Sequence, residues 1–113
     1  MITATVYRRE DRYCGFEITG HAGYAESGSD IICAAVSVLA INAVNSIESL
    51  TDDPVRAEEK DGFLRCSFPE GLSEAGTLLL ESMILGLTQT AESVSAETGE
   101  PYLKVVFEEV QSC

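Results

Sequence analysis

Five short segments of this sequence alternate between apolar and polar residues, and this alternation constrains the fold more than any other feature. Period-two alternation is typical of strands that have one dry face and one wet face. It occurs in residues 2–8 and 13–20, in both halves of residues 55–69, and in residues 102–109. A sheet with one wet face favours antiparallel or mixed pairing, with the helices of the chain on the dry face.

The first two segments predict a hairpin whose loop is the polar stretch at residues 9–11. Placing Val6 opposite Cys14 brings the apolar residues of both strands onto one face, which supports this register. The halves of residues 55–69 predict a second hairpin, because Asp61-Gly62 is the strongest short signal for a tight turn. That turn places Lys60 opposite Phe63 and, three residues further along each strand, Ala57 opposite Cys66.

Two longer stretches have apolar residues at helical spacing. The first runs from Ile31 to Leu50, with Asp30 as its N-cap, after a glycine-containing loop at residues 21–30. The second begins after the cap Ser73 and ends near Glu97, before Gly99 and Pro101. The first half of the first helix is apolar on nearly every side, which predicts a homodimer as well as a core contact.

These elements predict a two-layer α+β domain in the order β-β-α-β-β-α-β. Two helices would cover one face of an antiparallel or mixed five-stranded sheet. No linker or repeat interrupts residues 1–113, so we expect a single domain.

Charge excludes several classes of partner. Nineteen Asp and Glu residues stand against seven Lys and Arg residues, for a formal net charge of −12 at pH 7. We therefore expect no binding to nucleic acid or to anionic lipid, whereas a basic peptide would be attracted. We also expect no apolar run of membrane-spanning length and no secretory leader, and hence a cytoplasmic protein.

The four cysteines include no Cys-x-x-Cys pair, and His21 is the only histidine. In a cytosolic chain all four are expected to be reduced. Ligands for a metal would have to come from distant parts of the chain, so we expect no metal and no other cofactor. Cys14 and Cys66 fall on dry strand faces, which places both in the predicted core.

Residues 20–37 hold the candidate chemistry, because His21 and Cys33 lie within this one segment. With Asp30 as the N-cap, Cys33 would lie in the first helical turn, where free backbone N–H groups stabilise a thiolate or an oxyanion. His21, at the end of a strand, could then take the thiol proton. From position alone, Cys33 could also be a small buried hydrophobe and His21 a surface residue.

Two further residues could support this pair. Asp30 could orient the His21 imidazole as well as cap the helix. Ser37 follows Cys33 by four residues and so shares its helix face. Its hydroxyl could donate a hydrogen bond to the thiol, to a bound substrate or to its own helix.

The stretch Gly20-His21-Ala22, followed by Gly28-Ser29-Asp30-Ile31-Ile32-Cys33-Ala34-Ala35-Val36-Ser37, resembles the signature of the ribosomal-processing cysteine proteases, the Prp family. The order of the predicted elements and the length of the chain also fit this family. The resemblance implies a homodimeric bacterial cysteine endopeptidase. Its substrate would be a large-subunit ribosomal protein, number twenty-seven of the L series, from which it removes a short N-terminal extension by cleaving after aromatic residues.

The resemblance also implies roles for individual residues. Cys33 would be the nucleophile and His21 the general base, with Asp30 and Ser37 in support. The loop at residues 22–29, which contains Gly23, Gly28 and Ser29, would be a lid that closes over the peptide.

Two other classes of function stay open at this point. An acidic dimeric module could bind a ribosomal protein without cleaving it, with Cys33 as a structural residue. A thiol redox protein would need a resolving cysteine near Cys33, and none is close in the sequence. A reactive Cys33 would favour the protease, and an inert one would favour the binding module.

Overall fold

The computed structural model describes residues 1–20 and 26–113, with residues 26–30 described by their backbone alone. In this part of the chain the elements are β1 (Ile2–Arg9), β2 (Arg12–Thr19), α1 (Glu26–Leu50), β3 (Arg56–Lys60), β4 (Phe63–Ser67), α2 (Glu74–Thr98) and β5 (Leu103–Glu109). The order β-β-α-β-β-α-β confirms the predicted α+β architecture.

The strands form one mixed sheet in the order β3-β4-β2-β1-β5. Neighbouring strands are antiparallel except β1 and β5, which are parallel. One face of the sheet is dry, because alternate strand residues such as Ala4, Val6 and Phe16 are buried there. The alternation in the sequence therefore indicates which strand residues face the buried side of the sheet.

Both helices pack against the dry face and against each other. Gly86 of α2 lets the helices approach closely, since a Cβ at that position would lie 2.9 Å from the side chain of Leu39 on α1. Burial of each large apolar side chain between the layers contributes about 1.5–3 kcal/mol to stability. The largest fully buried side chains come from both layers: Phe16, Phe68, Ile47, Leu80, Leu87, Val6 and Cys66.

Helix α2 begins and ends where the sequence predicts. The Ser73 hydroxyl accepts a hydrogen bond of 3.1 Å from the backbone N–H of Gly76. The Asp53 carboxylate accepts from both the backbone N–H and the hydroxyl of Ser73, at 3.0 and 2.8 Å, and so fixes the cap. At the other end, Gly99 adopts the left-handed conformation and its N–H donates to the carbonyl of Ser95.

The β1–β2 hairpin has a different register from the predicted one. Val6 lies opposite Phe16 and not opposite Cys14. The turn consists of residues 10–11, and Glu10 adopts the left-handed φ of 57° that such a tight turn requires. Pairing then skips Cys14, which is the extra residue of a β-bulge.

Cys14 is joined to Cys113 by a disulfide, and their Cα atoms are 4.9 Å apart. The prediction of four reduced cysteines is therefore wrong, although Cys14 is buried, as the sequence predicts. The C-terminal segment reaches Cys14 because it continues along β1 after β5 ends, and the Val110 N–H donates to the Arg8 carbonyl at 2.8 Å. Cys33 and Cys66 are the free cysteines.

The β3–β4 hairpin has the predicted register, with Lys60 opposite Phe63 and Ala57 opposite Cys66. Gly62 supplies a φ of 70° at the turn. Every residue of β3 is exposed, although the alternation predicts that Ala57 faces the core. Strand β3 is the edge of the sheet, where the helices do not cover it.

In the described residues, one helix is long and apolar enough to cross a membrane by length and composition: Ile31–Leu50, with a mean hydropathy of 1.8. The expectation that no stretch reaches this length is therefore wrong. The same helix supplies Val36, Ala40 and Ile47 to the core between the sheet and α2. Such a composition is also typical of a helix with a broad buried face in a globular domain.

Candidate active site

A groove of about 580 Å³ lies between α1 and the β3–β4 hairpin. Its α1 wall includes Cys33 and Ser37, and its opposite wall is the hairpin turn at residues 59–64. Ile2 and Ile18 line the groove where β1 begins and β2 ends. Grooves of this volume accommodate small ligands or several side chains of a peptide.

Cys33 and Ser37 line this groove together, as their four-residue spacing on one helix predicts. Cys33 is half-buried and Ser37 is exposed. Neither side chain makes a hydrogen bond to another residue in the ranges that the structure describes. The thiol and the hydroxyl are therefore both available to a molecule bound in the groove.

Cys33 lies about two turns inside α1 and not in its first turn. The helix begins at Glu26, so Gly28, Ser29 and Asp30 are helical, where the sequence predicts a loop and a cap. Acidic residues such as Glu26 are favoured at a helix start, and each residue added to a formed helix gains a hydrogen bond. Since the effect of the helix N-terminus fades beyond the first turn, it does not explain a reactive Cys33.

His21 and Gly23 lie outside the described residues, and so does the first half of the predicted lid, residues 22–25. Because α1 already includes residues 26–29, a loop spanning all of 22–29 is wrong. Closure of a shorter lid stays a prediction. Gly20, which directly precedes His21 in the sequence, lines the groove.

The backbone of Gly20 is fixed by its neighbours. Its N–H donates to the carbonyl of Gly62 in the hairpin turn at 3.1 Å. Its φ of 90° favours glycine, and a Cβ there would collide with the carbonyl of Met1. The end of β2 is thus held against both β1 and the hairpin wall of the groove.

Cys66, the other free cysteine, has a different environment. Its side chain is 1% exposed and belongs to the core, as the sequence predicts. Burial raises the pKa of the Cys66 thiol to about 12, and the negative charge of Glu48 acts in the same direction. A thiol in this state is not a nucleophile near neutral pH.

Sequence reasoning missed the hairpin wall of the groove, because it treated Asp61-Gly62 only as a turn. A signal was present, since Glu59 lies opposite Leu64 and so projects from the helix-facing side of the sheet. A charged residue at a dry-face position indicates that the helices leave that position open. Among residues 1–20 and 31–113, no three His, Cys, Asp or Glu side chains converge to hold a metal ion.

Comparisons with known proteins show the family of this chain. Residues 1–98 match the sequence model of the family described as cysteine protease Prp. The ribosomal processing cysteine protease Prp of Bacillus subtilis is 37% identical over 94 residues, which cover 77% of this chain and 84% of that protein.

Solved structures share the fold. The protein SMU.848 from Streptococcus mutans is 36% identical and superposes with a TM-score of 0.75, covering 97% of this chain and 96% of that one. The essential ribosomal processing protease Prp from Staphylococcus aureus, solved in complex with a substrate peptide, superposes with a TM-score of 0.79 at 23% identity, covering 96% of this chain and 100% of that one. Since the family match covers most of the sequence, the chain belongs to the cysteine protease Prp family and is a cysteine peptidase.

Proposed function

We propose that this peptidase removes a short N-terminal extension from a large-subunit ribosomal protein, number twenty-seven of the L series, by cleaving after aromatic residues. The observation that carries the proposal is that Cys33, and not Cys66, lines an open groove. The names of the relatives support ribosomal processing as the biological task. Residues 1–113 would act as a single protease domain.

In the proposed mechanism, Cys33 is the nucleophile and His21 is the general base. His21 takes the thiol proton while Sγ attacks the scissile carbonyl, and a thioester forms as the amine leaves with that proton. Water, activated by His21, then hydrolyses the thioester and restores the thiol. Asp30 would orient the imidazole, and the Ser37 hydroxyl would donate a hydrogen bond to the bound peptide.

The inner surface of the groove supports an apolar side chain next to the scissile bond. Ile2, Ile18 and Val36 are buried or nearly so, and they line the groove together with Leu64 and Phe63. Burying an aromatic side chain against such residues contributes about 1.5–3 kcal/mol to binding. The binding module considered above, which does not cleave its partner, does not account for membership in a peptidase family.

We also propose a homodimer formed through the outer face of α1. Ile31 is 70% exposed and Val38 is 68% exposed, and the two lie on the same side of the helix at a spacing of two turns. A second copy would remove this apolar surface from water. Light scattering should give about twice the chain mass of 12.1 kDa, and a mass near 12.1 kDa at micromolar concentration would contradict the dimer.

The proposed setting is the cytoplasm, with no nucleic acid and no membrane as a partner. The net charge of −12 supports this setting, because it repels both phosphate backbones and anionic lipid surfaces. It also attracts a basic substrate.

The function is tested with a synthetic peptide that spans the N-terminal extension and the junction of the host's ribosomal protein. Mass spectrometry should show two products whose junction follows an aromatic residue, and Cys33→Ala should yield none. Intact peptide after incubation with folded wild-type protein would contradict the proposal, as would equal cleavage by the Cys33→Ala variant.

A further inference from the structure

The hairpin wall of the groove carries acidic side chains on the side that faces Cys33. Glu59 lies opposite Leu64 in the β3–β4 pairing, and directly paired residues of antiparallel strands point to the same face. Leu64 packs against the core between sheet and helices. Glu59 therefore projects from the helix-facing side of the sheet, over the groove, and Asp61 lines the groove at the turn.

The charges on this wall are not balanced within the described residues. Lys60 also lines the groove, but its ammonium lies 3.4 Å from the carboxylate of Glu58, which is on the opposite, solvent-facing side of β3. Neither Glu59 nor Asp61 forms an ion pair or a side-chain hydrogen bond with any residue in the described ranges. Two carboxylates without a partner in the described ranges thus line the groove, and the Lys60 ammonium on the same wall is paired with Glu58.

We infer that Glu59 and Asp61 make this groove selective for peptides that carry a lysine or arginine close to the scissile bond. The inference rests on the proposed endopeptidase function and adds a specificity determinant to it. The apolar residues of the groove would take an apolar side chain of the peptide, and the acidic wall would take a neighbouring basic one. A carboxylate that accepts a hydrogen bond from a cationic side chain gives a stronger contact than a neutral pair does.

Glu59 and Asp61 are exposed at the rim of the groove, so water and salt weaken their contact with a basic side chain and limit its effect on kcat/KM. Exposed ion pairs contribute up to about 1 kcal/mol, which corresponds to roughly a fivefold change in kcat/KM. The preference should shrink as ionic strength rises, because the Debye length falls from about 10 Å at 0.1 M to about 3 Å at 1 M. An apolar contact would not respond to salt in this way.

The test uses pairs of peptides that differ only in one lysine, which is replaced by glutamine at successive positions around the cleaved bond. Wild-type protein should cleave the lysine peptide roughly fivefold faster at one or two positions. Glu59→Gln and Asp61→Asn should each reduce that preference, and Asn-Gly keeps the tight turn. Glu92→Gln, which changes the net charge equally on an exposed part of α2 outside the groove, serves as the matched control and should keep the preference.

The outcomes separate the inference from the function on which it rests. Equal kcat/KM for lysine and glutamine peptides at every position would overturn the inference and leave the proposed function intact. So would a preference that survives in Glu59→Gln and Asp61→Asn, since Glu59 would then serve only to keep the edge strand β3 from pairing with other chains. Failure to cleave any of the peptides would overturn both.

Discussion

Cys33 and Cys66 are both free thiols in contact with one hydrophobic core, yet their surroundings differ in one respect. Cys66 lies on β4, a strand with a neighbour on each side, and its side chain is buried in the core. Cys33 lies on α1 opposite the hairpin that α1 does not cover, so one side of its side chain faces an open groove. The comparison shows that access, and not residue type, separates a candidate nucleophile from a core residue in this fold.

The environment of Cys33 also shows what the described residues do not supply. No helix N-terminus lies beside its thiol, because α1 begins two turns earlier. Under the proposed mechanism, activation of Cys33 depends on His21.

The largest difference should appear when each free cysteine is replaced by alanine. Cys33→Ala should lower kcat/KM for the cognate peptide by about a thousandfold or more, because the nucleophile is lost. Cys66→Ala should keep the activity and lower the free energy of unfolding by roughly 1–2 kcal/mol, through the small cavity that it leaves. Peptide cleavage and urea denaturation measure the two effects, and a folded Cys66→Ala protein without activity would reverse the assignment.

A smaller effect should follow from breaking the disulfide between Cys14 and Cys113. Cys113→Ser removes a link between residues separated by 99 positions in sequence, and we expect a loss of about 2–4 kcal/mol in the free energy of unfolding. Activity should persist, because the bond lies outside the residues that line the groove. Wild-type protein treated with dithiothreitol should unfold at the same urea concentration as the variant, and no change on reduction would show that the bond does not form.

The smallest effect concerns pH. Burial raises the pKa of the Cys66 thiol from about 9.0 in the unfolded chain to about 12, so the folded state keeps its proton where the unfolded state loses it. Stability linked to Cys66 is therefore fully present below pH 9 and is lost as pH rises towards 12, by about 1.4 kcal/mol per pH unit.

Urea denaturation of wild type and Cys66→Ala between pH 8 and pH 10.5 isolates this effect. Burial also raises the pKa values of Tyr7 and Tyr13, and this contribution is common to both proteins. The stability advantage of wild type over Cys66→Ala should shrink above pH 9, because only wild type loses the contribution of the Cys66 thiol. Two curves that stay parallel would show that the Cys66 thiol is not shielded from water as its burial implies.

Signals that depend on a few adjacent residues predicted the structure well. Asp61-Gly62 gave the correct register of the β3–β4 hairpin, and Ser73 and Gly99 gave the correct ends of α2. Each of these residues determines the backbone through its own conformation or hydrogen bond. The spacing of Cys33 and Ser37 likewise predicted their common face.

Features that depend on distant parts of the chain were not predictable in the same way. The bulge at Cys14 leaves no pattern in the sequence, so the predicted β1–β2 register was wrong by two residues. The contact of Cys14 with Cys113 requires the parallel pairing of β5 with β1, which alternation alone does not specify. The groove was not predictable for the same reason, because its walls come from four separate regions of the sequence.

The most direct test of the account is the identity of the thiol that reacts with a substrate-like electrophile. A peptidyl chloromethyl ketone ending in phenylalanine is incubated with the folded protein at pH 7.5, and the modified residue is located by digestion and mass spectrometry without reduction. We predict one label per chain, on Cys33, with slow labelling in His21→Ala and none on Cys66 before denaturation. Labelling of Cys66 in the folded protein, or an unmodified Cys33, would contradict the account.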